Sequence, residues 1–214
     1  MKNNCKSRLN FGSVNLDFGS EIKFIFLRCY KFSGGSNLKK VEIQVSEGIL
    51  LRDAINDDIN DYLAVPFNEE LLKMYGSSMD HRTKKSKEKV ANMIEEIKNN
   101  PFEWVIDYNG KFIGQASLKL EKEDNKARYA IGIFDPNYWS KAIGSNVTKS
   151  LLEYAFNNLD LHKVYLRVLD YNLRAIKSYK KVGFIEEGRD REGALINKQY
   201  CTDIYMGILK KDYK

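Results

Sequence analysis

Cysteine and histidine are scarce in this chain, with three of the first and two of the second in 214 residues. Cys5, Cys29 and Cys201 are odd in number and far apart, so they define no disulfide framework. Neither they nor His81 and His162 stand at metal-ligand spacing, and no metal is expected. Long apolar runs are missing too. The stretch "FIFLRCY" is short and broken by Arg28, far from the roughly 20 residues of a membrane-spanning helix. The first residues lack the charged start, apolar centre and small-residue cleavage site of a signal peptide. The expectation is a cytoplasmic protein with no membrane partner.

The formal net charge of +6 would suit nucleic acid if it lay on the body of the protein. It does not. Residues 1–46 hold eight Lys or Arg against three Asp or Glu, while the rest holds 27 against 26. Nucleic acid is therefore not the expected partner of the main body. Hydrophobic residues make up 43%, enough for a substantial core.

Residues 1–46 are rich in Asn, Ser, Gly and Lys and read as a basic extension, with one strand-like run, "EIKFIFLRCYKF". The domain proper is expected over 47–214, and a chain beginning at Glu47 is expected to fold. A strand is predicted at Gly48–Arg52, with helical patterns around Ile55–Leu63 and Asn68–Tyr75. A longer helix fits Thr83–Asn99, where Val90, Met93, Ile94 and Ile97 form one apolar stripe. The period then changes. In "FEWVIDYNGKFIGQASLKL", Asn109-Gly110 supplies a type I′ turn between two strands. Further strands fit "ARYAIGIF", "KVYLRVL", Phe184–Arg189 and Gln199–Leu209. Helices fit Ser145–Asn157 and the segment beginning at Asn172. The fold class is α/β (α+β), a mixed and mostly antiparallel sheet of six to seven strands flanked by helices.

Two stretches carry chemistry. In "DPNYWSKAIGSNVTKSLLEYAF" a strand ends near Phe134 and a helix begins after Ser140-Lys141-Ala142-Ile143-Gly144-Ser145. A helix start leaves backbone N–H groups unpaired, and small residues keep such a turn open to a phosphate. No Walker sequence or dinucleotide fingerprint is present. A plain strand–helix connection would read the same way. In "NLRAIKSYKKVGF", each helical residue turns about 100°, so Tyr179 lies about 20° and Ala175 about 60° from Asn172. An amide and a phenol then mark one groove. An N-cap and a half-buried tyrosine would also explain them.

Together the strand, small-residue turn, helix, strand and Asn-x-x-Ala-x-x-x-Tyr-x-x-x-Gly-Phe resemble the GNAT superfamily of acetyl-CoA-dependent N-acetyltransferases, in particular its ribosomal-protein N-acetyltransferase-like branch. The resemblance covers about residues 48–209. It implies that the turn amides, Ser140 through Ser145, hold the coenzyme A pyrophosphate, and that Trp139 is among the residues binding the coenzyme. It implies that the backbone near Ile133 and Phe134 pairs with the pantetheine arm, and that Asn172 contacts that arm. Tyr179 then protonates the leaving thiolate. A phenol suits that task, with a reference pKa of about 10 against about 8.5 for a thiol.

The turn departs from the family's Gln/Arg-x-x-Gly-x-Gly/Ala. Trp139 replaces the first residue, and Ala142 replaces the first glycine, which a negative φ would accommodate. Ala130 stands where a Glu often serves as general base, leaving Glu103 and Asp170 as substitutes. The resemblance implies an acyltransferase moving acetyl from acetyl-CoA to a primary amine in a ternary complex. Without the usual base, the acceptor is expected to be an amine of low pKa, a peptide N-terminus or an aminosugar. A homodimer is left open. The alternative is a non-catalytic acyl-CoA-binding or regulatory module on the same fold.

Overall fold

The computed structural model describes residues 40–76 and 86–214. The run "EIKFIFLRCYKF" lies outside them. Strands β1 (Ile43–Ser46) and β2 (Ile49–Arg52) form a tight hairpin, followed by helices α1 (Asp58–Ala64), α2 (Glu69–Met74) and α3 (Lys87–Asn99). Next come β3 (Glu103–Tyr108), β4 (Lys111–Glu121), β5 (Lys126–Ile133), α4 (Ile143–Glu153) and β6 (Lys163–Leu169). Helix α5 (Leu173–Val182) and strands β7 (Ile185–Ile196) and β8 (Gln199–Leu209) complete the fold.

The strands form one sheet in the order β1-β2-β3-β4-β5-β6-β8-β7. Eight strands replace the expected six to seven. The extra one is β1, whose pairing with β2 no local pattern announces. β1 lies upstream of the boundary read at Ser46 and is tied to the body. The Trp104 indole donates to the carbonyl of Val41 at 2.7 Å, and Lys40 pairs with Asp53. β7 also runs seven residues past its expected end at Arg189. Its outer residues are mostly exposed, so the apolar alternation that marks a strand is missing.

Asn109 and Gly110 take φ of 51° and 82°, the two positive angles of a type I′ hairpin turn. Tyr108 and Lys111 pair across it. The helix expected at Ser145–Asn157 becomes α4 plus a wider turn at Tyr154–Asn158. There Leu159 N–H reaches the Tyr154 carbonyl, five residues back, at 3.1 Å.

The sheet has two apolar faces. One carries Trp104, Ile106, Leu118, Tyr129 and Leu166 and packs against Val147, Leu151 and Phe156 of α4 and its extension. The other carries Val105 and Phe112 and packs against Val90, Ile94 and Ile97 of α3. Partly buried Arg52 locks α1 onto the sheet. Its guanidinium donates to both oxygens of Asp58 at 2.7 and 2.9 Å, and to Asp107 at 2.7 Å. Truncating one partner of such a cluster strands a buried charge, at a cost of about 3–5 kcal/mol.

Among the described residues, no helix is long and apolar enough to cross a membrane. No group of His, Cys, Asp or Glu among them could hold a metal ion.

Candidate active site

All neighbouring strands are antiparallel except β5 and β6. Those two pair in parallel at only three positions, Lys126 with Lys163, Ala127 with Val164 and Arg128 with Tyr165. Beyond them β5 runs on to Ile133, paired only with β4, and β6 to Leu169, paired only with β8. The sheet splits, and a cleft of about 670 Å³ opens at the split.

Backbone direction along β5 follows from its partner. Phe134 N–H bonds Ile113 of β4 at 2.8 Å, so Ile131 and Ile133 turn their own N–H and C=O toward the split. The sequence reading grouped Ile133 with Phe134, but only Ile133 faces the cleft. Phe134 commits its N–H to β4 and packs its ring edge-on to Tyr62 at 5.1 Å and Phe112 at 5.7 Å. The carbonyl of Ile133 accepts a bond from the Trp139 indole at 2.9 Å.

The start of α4 lines one wall. Ser140 and Ala142 have φ of 61° and 59°. The negative φ expected of Ala142 is not what the backbone adopts: it is left-handed, the conformation a glycine takes freely and alanine pays about 1–2 kcal/mol to hold. Ala142 is also the N-cap and supplies no side-chain acceptor. The N–H groups of Ile143, Gly144 and Ser145 therefore have no carbonyl within the helix, while Asn146 N–H bonds Ala142. A Cβ built on Gly144 would meet only Ile133 and Ile131 methyls at 3.7 and 4.0 Å, ordinary contact. The missing side chain thus leaves open space in the cleft. Lys141 points elsewhere, its ammonium 5.4 Å from the Tyr138 ring.

Helix α5 forms the facing wall. Asn172 caps it, accepting from Ala175 N–H at 3.2 Å and donating to Met74 of α2 at 3.4 Å. Ser178 and Ser145 share a hydrogen bond of 2.9 Å that ties the two walls. Arg174, Lys177 and Lys181 also line the cleft, and Arg174 lies over the Trp139 ring at 3.8 Å. Tyr179 sits edge-on to Tyr129 at 6.4 Å, and burial pushes its phenol up to about 12. Tyr129 hydrogen-bonds Thr148 at 2.9 Å, and burial raises its pKa as well.

Tyr75, just after α2, closes the far side. A Cβ on Gly132 would fall inside its phenol ring and hydroxyl, so the glycine permits this close approach. Burial first, then the neighbouring phenol of Tyr179, raises the Tyr75 pKa.

The carboxylates named from sequence do not line the cleft. Glu103 sits in register with Ser117, which pairs with Ala130. It is two strands from Ala130, about 10 Å away, and accepts from Asn100 at 3.3 Å. Burial raises its pKa. The carboxylate that does line the cleft is Asp203 of β8, 3% exposed. Its Oδ2 has no hydrogen bond and lies 3.4 Å from the Arg167 guanidinium. Sequence reasoning missed Asp203, although an aspartate inside the strand "QYCTDIYMGIL" is a recognisable anomaly.

Comparisons with known proteins bear on the family and the fold. A family model for the acetyltransferase (GNAT) domain matches residues 49–185. The spermidine N(1)-acetyltransferase of Escherichia coli (strain K12) is 32% identical over 111 residues, 51% of this chain and 59% of that protein. A Bacillus subtilis (strain 168) protein named as a ribosomal N-acetyltransferase is 28% identical over 116 residues, 54% of this chain and 63% of that protein. The chain thus matches less than two thirds of the length of either curated relative. The crystal structure of spermidine N-acetyltransferase from Vibrio cholerae with CoA and spermine superposes with a TM-score of 0.65 at 25% identity, covering 78% of this chain and 99% of that one.

Proposed function

This chain belongs to the GNAT acetyltransferase family, and on that premise we propose that it moves the acetyl group of acetyl-CoA to a primary amine. The observation that carries the reading is the three-rung pairing of β5 and β6, which splits the sheet and leaves the backbone of Ile131 and Ile133 facing a cleft. Acetyl-CoA supplies an acyl group activated as a thioester. The chain's own groups suit such a molecule. The N–H groups of Ile143, Gly144 and Ser145 hold the pyrophosphate, helped by the partial positive charge of the α4 start. Lys177 and Lys181 neutralise the remaining phosphate charge. Ile131 and Ile133 hydrogen-bond the pantetheine arm, and Asn172 flanks it.

Tyr179 holds a proton at its phenol oxygen and gives it to the departing sulfur, while the nitrogen that forms the amide loses its proton to water and the phenol is reprotonated from solvent. Its raised pKa, about 12, keeps that proton in place at every working pH. The acceptor amine attacks directly in a ternary complex, and bringing both molecules into one cleft removes much of the entropic cost of their meeting. Ala130 provides no base beside the split. The reading therefore favours an amine already neutral in part near pH 7.5, an α-amine of pKa about 7.7–8.0 rather than a lysine side chain of about 10.4.

Release of free thiol from acetyl-CoA in the presence of peptides, aminosugars and polyamines tests the transfer. Gly144→Glu tests the binding mode. It puts bulk and negative charge beside the unpaired amides, and acetyl-CoA affinity by calorimetry should fall at least tenfold, about 1.4 kcal/mol. Unchanged affinity in a folded variant removes the phosphate-loop assignment.

A further inference from the structure

The relatives named above are by name a spermidine and a ribosomal N-acetyltransferase. The charge on the acceptor face of this cleft is of a different kind. Alternation along paired strands puts Arg128, Ala130, Tyr165, Arg167, Tyr205 and Asp203 on one face of the sheet. This is the face opposite α4, which carries the unpaired amides. Arg128 occupies the last rung before the split, opposite Tyr165. Arg167 is two residues further along β6. Strand spacing and rise separate the two Cα atoms by at least about 8 Å. Both line the cleft.

Their partners are few. Among the described residues Arg128 forms no ion pair. Arg167 has Asp203, at a loose 3.4 Å. Asp203 faces Asp190 directly across β7 and β8, and its buried Oδ2 accepts no hydrogen bond. The face therefore presents Arg128, without an ion pair, at the base of the split, and Arg167 with the neighbouring carboxylates Asp203 and Asp190 further along. A polycation would meet the uncompensated charge of Arg128. An amine that also carries an anionic oxygen group would satisfy both signs, since a guanidinium fork matches a carboxylate or phosphate through two parallel hydrogen bonds.

We propose that the acceptor is an amine that also bears a carboxylate or phosphate, with Arg128 holding the anion and Asp203, about four residues further along the split, the ammonium before transfer. The inference rests on the acetyltransferase reading and narrows its acceptor. It favours a short peptide with a free carboxylate over a polyamine.

The test is kcat/KM with acetyl-CoA for four acceptors: glycyl-phenylalanine, its C-terminal amide, O-phosphoethanolamine and spermidine. At least one of the two anionic acceptors should exceed both the amide and spermidine by tenfold or more. Arg128→Ala should remove most of that advantage, and Arg128→Lys should retain part of it. Asp203→Asn should raise KM for every acceptor while calorimetric affinity for acetyl-CoA stays unchanged. Arg128 is exposed, so its variants are expected to fold, and circular dichroism checks this. A preference for spermidine or the amide, or a preference for the anion that survives Arg128→Ala, overturns the inference and leaves the transferase reading intact. Absence of thiol release with all four acceptors, together with no acetyl-CoA binding, overturns both.

Discussion

The guanidinium of Arg174 sits over the indole of Trp139, 3.8 Å from the ring centroid. Both residues line the cleft, and the same indole bonds the Ile133 carbonyl. A ligand laid along β5 comes within reach of the indole.

Trp139 should therefore report binding. The chain has two tryptophans, and Trp104 is fully buried with its N–H on Val41. Titration with coenzyme A should give a saturable change in tryptophan emission. The change should persist in Trp104→Phe if that variant folds, and disappear in Trp139→Phe while calorimetry still detects binding. A signal retained in Trp139→Phe would mean that the ligand does not reach this loop.

Ala142 holds a left-handed backbone at φ 59°. Ala142→Gly should relieve about 1–2 kcal/mol of strain and lose roughly 0.4–1 kcal/mol through the freer unfolded chain. The net expectation is a gain of about 0.5–1 kcal/mol, measured as a higher urea midpoint at unchanged slope. Ala142→Val should lower the midpoint. A glycine variant less stable than the parent would show that the loop is not strained at this residue.

Tyr179→Phe should lower kcat by about 10²–10⁴-fold, the usual contribution of a general acid, with little change in acetyl-CoA affinity. The parent should show no loss of rate from this group below about pH 11, because burial pushes the phenol up to about 12. Stability follows the same sign. The folded pKa exceeds the unfolded value of about 10, so the tyrosine's contribution is complete below pH 10 and is lost as pH rises through about 12. Single-turnover rates within twofold of the parent would reduce Tyr179 to a packing residue.

The start of the folded domain should lie upstream of Lys40. A chain beginning at Glu47 loses β1 and the Lys40–Asp53 pair. It also leaves the Trp104 N–H buried without its Val41 partner, a loss of about 1–3 kcal/mol by itself. Denaturant melts of chains starting at Asn37 and at Glu47 should separate clearly, with the shorter one less stable. Coincident melts would restore the boundary at Ser46.

What the sequence disclosed was local. Asn109-Gly110 fixed one hairpin because two positive φ angles have few solutions. Asn172 and Gly183 bounded α5 because each satisfies a helix end by itself, Gly183 at φ 110°. The small residues before α4 and the alignment of Asn172 with Tyr179 located two walls of the cleft. The hidden features were long-range. Glu103 looked eligible as a base because strand order alone decides that it stands two strands from Ala130. Asp203 and Arg167 meet only through the β6–β8 register. The need for Gly132 depends on Tyr75, more than fifty positions earlier in the chain.

The three-rung pairing of β5 and β6 also bears on how the protein assembles. Strands β1 to β5 are each paired with their sequence neighbour, and β6 to β8 form a second local group. Between them lie three parallel rungs and the packing of α4 and α5. Parallel pairing across an intervening helix closes late, since the chain entropy of the crossover must be offset first. The sheet is thus two pieces sewn along a short seam, and the ligand cleft is the unsewn part. A molecule bridging Ile133 and Asn172 would act as a clasp, and hydrogen exchange of the β5 and β6 amides should slow together when it binds.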